Sequence, residues 1–360
     1  MEFIPYGKQS INNDDIATVI ETLKSDFLTT GLKVNEFEQK IYEKTNTKYC
    51  VSVSNGTSAL HLSALALLKE GDKVLTTPNS FIATSNSILY AKAIPIFVDI
   101  TKDGSINLDL CEELLKNDSS IKAIFAVSFS GKILDQDKLK YLKYTYNIKI
   151  LEDNAHTMGV KLTHSDISIF SFHPVKHITT AEGGAIVTND KDLYEKIKSL
   201  RNHGQDETHT MQSLGFNYRL NDISCALGIS QLKRLDEFIS KRQVLAKAYN
   251  QAFDNTIIKP LYKYTTKSYY HLFVVQIDFD KLSLTKEELI NKLRKRNIGV
   301  QVHYKPINKQ PYYKSIGYKD ENTPVMDQYI KECISLPIYP LLSIHEQKYV
   351  ITSLFEILDI

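Results

Sequence analysis

One lysine stands among turn residues in SFHPVKHITTAEGGAIVTND, residues 171–190. Ser171, the His173-Pro174 pair, Lys176, His177, two threonines and Glu182-Gly183-Gly184 lead into an apolar run that reads as a strand. A solvated lysine requires no such setting, whereas a lysine that forms a covalent bond in a closed site does. Two upstream segments supply candidate partners. In SNGTSALHLSAL, 54–65, a strand ends, Gly56 permits a tight turn, and small hydroxyl residues (Thr57, Ser58) open a helix. Free backbone amides and the positive end of the helix dipole favour an anion there, typically a phosphate. The same residues also read as a plain capping motif. In ILEDNAHTMG, 150–159, a strand ends in Glu152 and Asp153. Ligands of open α/β sheets bind outside the carboxyl ends of strands, so Asp153 reads as a site acid or as a turn cap. His156 reads as a ring contact or as a satisfied core histidine.

An acid at one strand end, a lysine about twenty residues later and an upstream phosphate cradle suggest one ligand. Pyridoxal phosphate takes a lysine amine, an acid against its pyridine nitrogen and a phosphate site. The chain has no GxxxxGK[ST] and no GxGxxG to favour nucleotide hydrolysis or hydride transfer.

The elements that must hold these residues are legible as alternation. YCVSVS, KVLTT, IPIFVDI, IKAIFAVSF, IKILED and ISIFSF read as strands; TSALHLSALALL, the segment after Pro78, DLCEELL and QDKLKYLKYTY read as helices. That alternation predicts a mainly parallel sheet covered on both faces. After DLYEKIKSL, a further helix, a long helical run is expected from Asn221 to about Phe253. YYHLFVVQID (269–278) and NIGVQVHY then read as strands, with a helix at 285–297 capped by Thr285. The expected division is a large domain over 1–245 and a smaller α+β domain over 246–360.

Composition narrows the class. At 360 residues the chain exceeds what one core usually supports. Lys+Arg 44 against Asp+Glu 42 argues against a nucleic-acid or membrane-surface protein. Six arginines (Arg201, Arg219, Arg234, Arg242, Arg294, Arg296) must supply any bidentate grip on an anion. Cys50, Cys111, Cys225 and Cys333 lie at no metal-ligand or redox spacing, so no metal is expected and the thiols read as reduced. The N-terminus has no signal-peptide core and no apolar run approaches a membrane span, so a cytoplasmic protein is expected.

Taken together, FLTTGLKVNEFE, SNGTSALHLSALAL, NSFIATSNSILYAKAIPIFVDI, EDNAHTMG, SFHPVKHITTAEGGAIVTND, RNHG, GFNYRLNDISCALGISQLKRL and VQVHYKPI resemble the nucleotide-sugar aminotransferases of the DegT/DnrJ/StrS type. The resemblance covers nearly the whole chain and is strongest to the pseudaminic acid branch. It implies the fold type I, aspartate-aminotransferase-like architecture of PLP-dependent enzymes. It implies that Lys176 bonds the cofactor, Asp153 keeps the ring nitrogen protonated, His156 touches the ring and Phe81 stacks on one face. Thr57, Ser58 and Ser171 would bind the phosphate, joined by Asn217 of a neighbouring subunit, with Arg219 near the same interface. Tyr6, Thr30, Arg219, His303 and Tyr304 would contact substrate. The implied reaction moves the amino group of L-glutamate to carbon 4 of a UDP-linked 4-keto-6-deoxy-N-acetyl-hexosamine, through pyridoxamine phosphate, in a homodimer with shared sites. Another nucleotide keto sugar (GDP- or dTDP-linked, carbon 3 or 4) and a PLP-binding regulator without turnover are the rival readings. Two departures stand out: many relatives have Gln where His156 stands, and the usual TTGP is TTGL, with Leu32 leaving that loop less rigid.

Overall fold

The computed structural model describes residues 1–318 and 322–360. Two helices open the chain, α1 (Asn13–Leu23) and α2 (Leu32–Thr45). Strands and helices then alternate through β1 (Tyr49–Val53), α3 (Gly56–Leu67), β2 (Lys73–Thr76), α4 (Ala83–Tyr90), β3 (Ile94–Phe97), α5 (Leu108–Asn117), β4 (Ile121–Val127), α6 (Gln136–Tyr146), β5 (Lys149–Asp153), β6 (Ile167–Ser171) and β7 (Gly184–Thr188). Helices α7 (Lys191–Arg201), α8 (Asp222–Leu232) and α9 (Leu235–Ala252) lead to β8 (Lys259–Pro260), β9 (Phe273–Gln276), α10 (Lys286–Lys295), α11 (Pro311–Ser315), α12 (Pro324–Glu332), β10 (Cys333–Leu336) and α13 (Ile344–Leu358).

The first seven strands form one sheet in the order β1-β7-β6-β5-β4-β2-β3. β7 runs antiparallel to both its neighbours and the remaining pairs are parallel, so every strand but β7 points the same way. Successive strand residues face opposite sides, and both sides here are apolar. Val53, Phe125, Leu151 and Ile169 pack with Leu60 and Leu62 of α3. On the other face Ile124 and Ile150 meet Cys111 of α5 and Leu139 of α6, while Phe170 and Val187 meet Phe37 of α2 and Cys225 of α8. The double coverage anticipated from the strand-helix alternation is therefore what forms.

The second core gathers around the antiparallel sheet β10-β9-β8. Val275, Ile334 and Leu336 pack with Leu289 and Leu293 of α10 and Val350 and Leu354 of α13. Helix α10 starts on the expected Thr285, in a capping box with Glu288. The chain's own start joins this core: Ile4 is buried in it, and its amide donates to the Asn297 carbonyl at 2.8 Å. Helix α9 serves both cores, giving Leu235 and Phe238 to the large sheet and Leu245, Tyr249 and its C-cap Phe253 to the small one.

Three expectations need correction. The long run from Asn221 is two helices, because the backbone leaves helical geometry at Arg234, whose guanidinium is drawn to Asp15 and the Ser10 carbonyl. YYHLFVVQID is a strand only over Phe273–Gln276. Its first residues bond instead to the large half, Tyr269 amide to Gly131 carbonyl at 2.9 Å and Leu272 amide to Ser130 carbonyl at 3.2 Å. NIGVQVHY makes only isolated bridges, Ile298 with Ile4 and Gln301 with Ser335, as the chain turns from one core toward the other.

Candidate active site

The register of the large sheet brings the strand ends together. Gly184 pairs with Val53 on one side and Ser171 on the other, and Asp153 pairs with Val127 and Ile169. Over this edge lies a cavity of about 920 Å³, lined by the Asn55–Ser58 helix start, Asp153, His156, Ser171 and Lys176, and by Tyr6, Phe81, His303 and Tyr304.

At one end stands the start of α3. The Asn55 side chain accepts the Ser58 amide at 2.8 Å and the Ser58 hydroxyl at 3.0 Å. So the capping reading is correct as far as it goes, but the cap takes only one amide of a helix turn that has several without intrahelical acceptors. The glycines let backbones close up here: a Cβ on Gly56 would meet Ser171 Cβ at 3.0 Å, and one on Gly184 would meet the Asn55 carbonyl oxygen at 2.6 Å.

Asp153 is buried at the far side. Its Oδ2 accepts the Thr84 hydroxyl at 2.7 Å, and its Oδ1 accepts the Ala155 amide at 3.1 Å. Burial raises its pKa, against which the Thr84 and Ala155 donors and the Lys176 charge pull downward. Two donors on a buried carboxylate fix its direction.

Lys176 keeps some accessible surface because it borders the cavity. Desolvation nevertheless lowers its amine to about 8; Asp153 opposes that shift and Arg242 adds to it. Around it lie buried, neutral imidazoles. His156 is held well below its ordinary range by burial, then by Lys176, and its Nδ1 has no hydrogen-bond partner among the described residues. His303 falls to about 3 for the same two reasons and shares a 2.8 Å hydrogen bond with the Ser335 hydroxyl. Tyr304 brings its hydroxyl to 3.5 Å from His156 Nε2.

Three expected residues stand apart. Thr30, Asn217 and Arg219 do not line the cavity of their own chain. Thr30 sits at a positive φ of 56° and is exposed. Asn217 is exposed and bridged to Asn202, and Arg219 donates to the Asn202 side chain. Conversely, Thr84, His61, Tyr218 and His271 line the cavity without having been singled out. His271 was hidden in a stretch read as strand, where an inward histidine carries no signal of its own.

The donor set suits pyridoxal phosphate: a helix start with glycine-tight backbone for the phosphate, a fixed buried carboxylate for the ring nitrogen, a lysine with a lowered pKa for the covalent bond, and the unpartnered His156 Nδ1 beside it. Among the described residues no cluster of three or more His, Cys, Asp or Glu side chains is placed to hold a metal ion.

Comparison with known proteins agrees with this arrangement. The UDP-4-amino-4,6-dideoxy-N-acetyl-beta-L-altrosamine transaminase of Campylobacter jejuni is 40% identical over 374 residues, covering 99% of this chain and 98% of that protein. Among solved structures, Helicobacter pylori PseC, an aminotransferase involved in the biosynthesis of pseudoaminic acid, superposes with a TM-score of 0.94 at 32% identity, covering 99% of this chain and 100% of that one. The PMP form of Spr1654 from Streptococcus pneumoniae gives a TM-score of 0.91 at 28% identity, over 99% of this chain and 98% of that one. These likenesses carry the whole architecture, large and small sheets alike, so the aspartate-aminotransferase-like fold expected from the sequence is the one present. Its sequence model matches residues 9–355, and the chain belongs to the DegT/DnrJ/EryC1/StrS aminotransferase family.

Proposed function

We propose that this protein is a PLP-dependent aminotransferase that moves the amino group of L-glutamate to carbon 4 of a UDP-linked 4-keto-6-deoxy-N-acetyl-hexosamine, in the synthesis of pseudaminic acid or a related surface sugar. One observation carries the chemistry: Lys176, Asp153 and the α3 helix start border a single cavity. The 40% identity to a transaminase of that product supports the choice of sugar.

Pyridoxal phosphate, when bound, supplies an electron sink that makes a carbon-bound proton removable. The chain's residues do the rest. Thr57, Ser58 and Ser171 hold the phosphate with the helix amides behind them. Asp153, anchored by Thr84, would keep the ring nitrogen protonated, and His156 and Phe81 would contact the ring. Lys176 would bond the cofactor, and its amine, when free, would take the proton from the donor's α-carbon. A base with a pKa of about 8 is partly unprotonated near neutrality and suits that transfer. Tyr6, His303 and Tyr304 line the same cavity and would meet the sugar nucleotide.

The active unit in this reading is a cytoplasmic homodimer. Asn217, Arg219 and Thr30, which do not line their own cavity although Tyr218 between the first two does, serve the partner's phosphate and substrate. Apolar side chains left in solvent support a second copy: Phe27 is 61% exposed and Leu32 81%, beside exposed Ile16, Ile20, Leu23 and Leu28 of the same segment. Among the described residues no helix is long and apolar enough to cross a membrane.

The test is a product assay with glutamate and a panel of UDP-, GDP- and dTDP-linked 3-keto and 4-keto sugars. Amination of the UDP-linked 4-keto sugar with release of 2-oxoglutarate is expected. Preference for another nucleotide or carbon would displace the substrate assignment, and no 2-oxoglutarate with any sugar would leave a cofactor-binding protein without turnover.

A further inference from the structure

Arg242, in the middle of α9, is a fully buried arginine. Among the described residues it has no carboxylate partner; its contacts are backbone carbonyls. Nη1 donates to Ile338 at 2.7 Å, His271 at 3.1 Å and Tyr270 at 3.4 Å, and Nη2 reaches the Val175 carbonyl at 3.5 Å. It falls between the part of α9 that packs on the large sheet and the part that packs on the small one. A buried unpaired charge is expensive, and a packed apolar side chain would serve a purely structural role more cheaply.

What those carbonyls belong to gives the cation its meaning. Val175 immediately precedes Lys176. Residues 269–272 are the segment that failed to become strand, being tied to Ser130 and Gly131 instead. A second tether joins the same two segments: His177, on the other side of Lys176, places Nε2 2.9 Å from the Tyr269 carbonyl and so donates to it. That ring is buried and neutral, its pKa pushed down to about 3 by burial and by Arg242. His271, whose backbone Arg242 grips, lays its ring 4.2 Å from that of His156. The lysine loop and the His156 side of the cavity are thus referred to one short segment.

We propose that Arg242 is a positioning residue for the reacting lysine: through the carbonyls at 175, 270, 271 and 338 it fixes the Lys176 loop against the small half, with His177 as the second tether, and it places a buried positive charge against the carbonyl of the residue before Lys176. This rests on the assignment of Lys176 as the cofactor-bonding residue. Among the described residues, the ionisable groups around Lys176 include Asp153 at the end of β5, His156 beyond it, His177 next in the loop, His271, His303 and Arg242, with Tyr6, His173, Glu182 and Tyr304 lining the same cavity. Asp153 raises the amine's proton affinity and Arg242 lowers it; the histidines are all held neutral.

The experiment is an absorbance titration of the bound cofactor between about pH 6 and 10, with kcat and KM measured in parallel, on the wild-type holoenzyme and on Arg242→Gln, Arg242→Lys and His177→Phe. Removing the charge in Arg242→Gln is expected to raise the titration midpoint by ~1 unit. It should lower kcat ~10-fold, with KM for the sugar nucleotide within ~3-fold. Arg242→Lys should restore the midpoint, because the charge returns, but only part of kcat, because an ammonium cannot span the same carbonyls. His177→Phe leaves the charge in place and should lower kcat without moving the midpoint, which gives a reading even where Arg242→Gln does not fold. Arg242→Gln that titrates like wild type, or His177→Phe with undiminished kcat, overturns the proposal. A wild-type protein that never develops cofactor absorbance refutes the cofactor reading instead, and a Lys176→Ala protein that titrates like wild type refutes the Lys176 assignment.

Discussion

The lysine that gives this site its reactivity should also destabilise the protein that carries it, as long as the cofactor is absent. Lys176 has its pKa lowered from 10.5 to about 8, mainly by desolvation. For a base with a depressed folded pKa, the penalty is fully present below the folded value, where both states are protonated and the folded state holds the charge in a poor environment. Between about 8 and 10.5 the folded state loses its proton while the unfolded state keeps it, so stability rises with pH across that window. Above it both are neutral and the penalty is gone. A shift of that size corresponds to about 3 kcal/mol, an upper figure because the side chain borders an open cavity. Lys176→Met should therefore make the cofactor-free protein more stable at pH 7 by ~1–3 kcal/mol, and the gain should shrink toward zero as pH approaches about 10. Urea unfolding of both cofactor-free proteins at several pH values reads the difference directly. Packing changes add an offset that does not depend on pH, so the slope is the diagnostic quantity. A difference that stays constant from pH 7 to about 10 would refute the reasoning.

Thr84→Val removes the hydroxyl that donates to Asp153; a hydrogen bond to a charged group is worth about 1.5–3 kcal/mol, so the acid limb of the kcat profile should move up by ~1–2 units. The carboxylate is then harder to keep ionised, so activity is lost at higher pH on the acid side; an unmoved limb would mean Thr84 only fills space. Gly184→Ala forces a methyl against the Asn55 carbonyl and should weaken cofactor retention, measured by dialysis, ~10-fold or more through the ~1–3 kcal/mol cost of crowding, with little loss of cofactor-free stability if the loop gives way. Mixing Lys176→Ala with an Asn217→Asp, Arg219→Ala double variant should return partial activity once subunits exchange, since one of the two sites in each heterodimer is then intact. Exchange without activity would place Asn217 and Arg219 in the service of their own chain.

The large sheet was legible because its strands are buried on both faces and its helices are not. IKAIFAV and ISIFS are near-continuous apolar runs, whereas the helices between them repeat their apolar residues at helical spacing. The small half was less legible. NIGVQVHY has strand-like residues, yet its partners at Ile4 and Ser335 are far away in sequence and each meets it at one residue only. Nothing local marks where such pairing stops. The break between α8 and α9 was equally silent, because it falls at Lys233 and Arg234 with no glycine or proline to mark it, and the Arg234 side chain there bonds to Asp15 and Ser10, far away in sequence.

The site divides along the same line. Asp153 and the α3 start sit at strand ends and Lys176 in the loop between β6 and β7, where chain connectivity brings them to one edge, so their types and spacing carried the reading. Thr84 and Arg242 reach the site from helices whose distance from it in sequence says nothing about proximity. Both act on a neighbour: Thr84 on the direction of a carboxylate, Arg242 on the backbone beside a lysine. A residue that forms the bond must have a particular chemistry and so shows in a sequence. One that positions it need only have a donor at the right point in space, and the sequence does not distinguish that threonine or that arginine from any other.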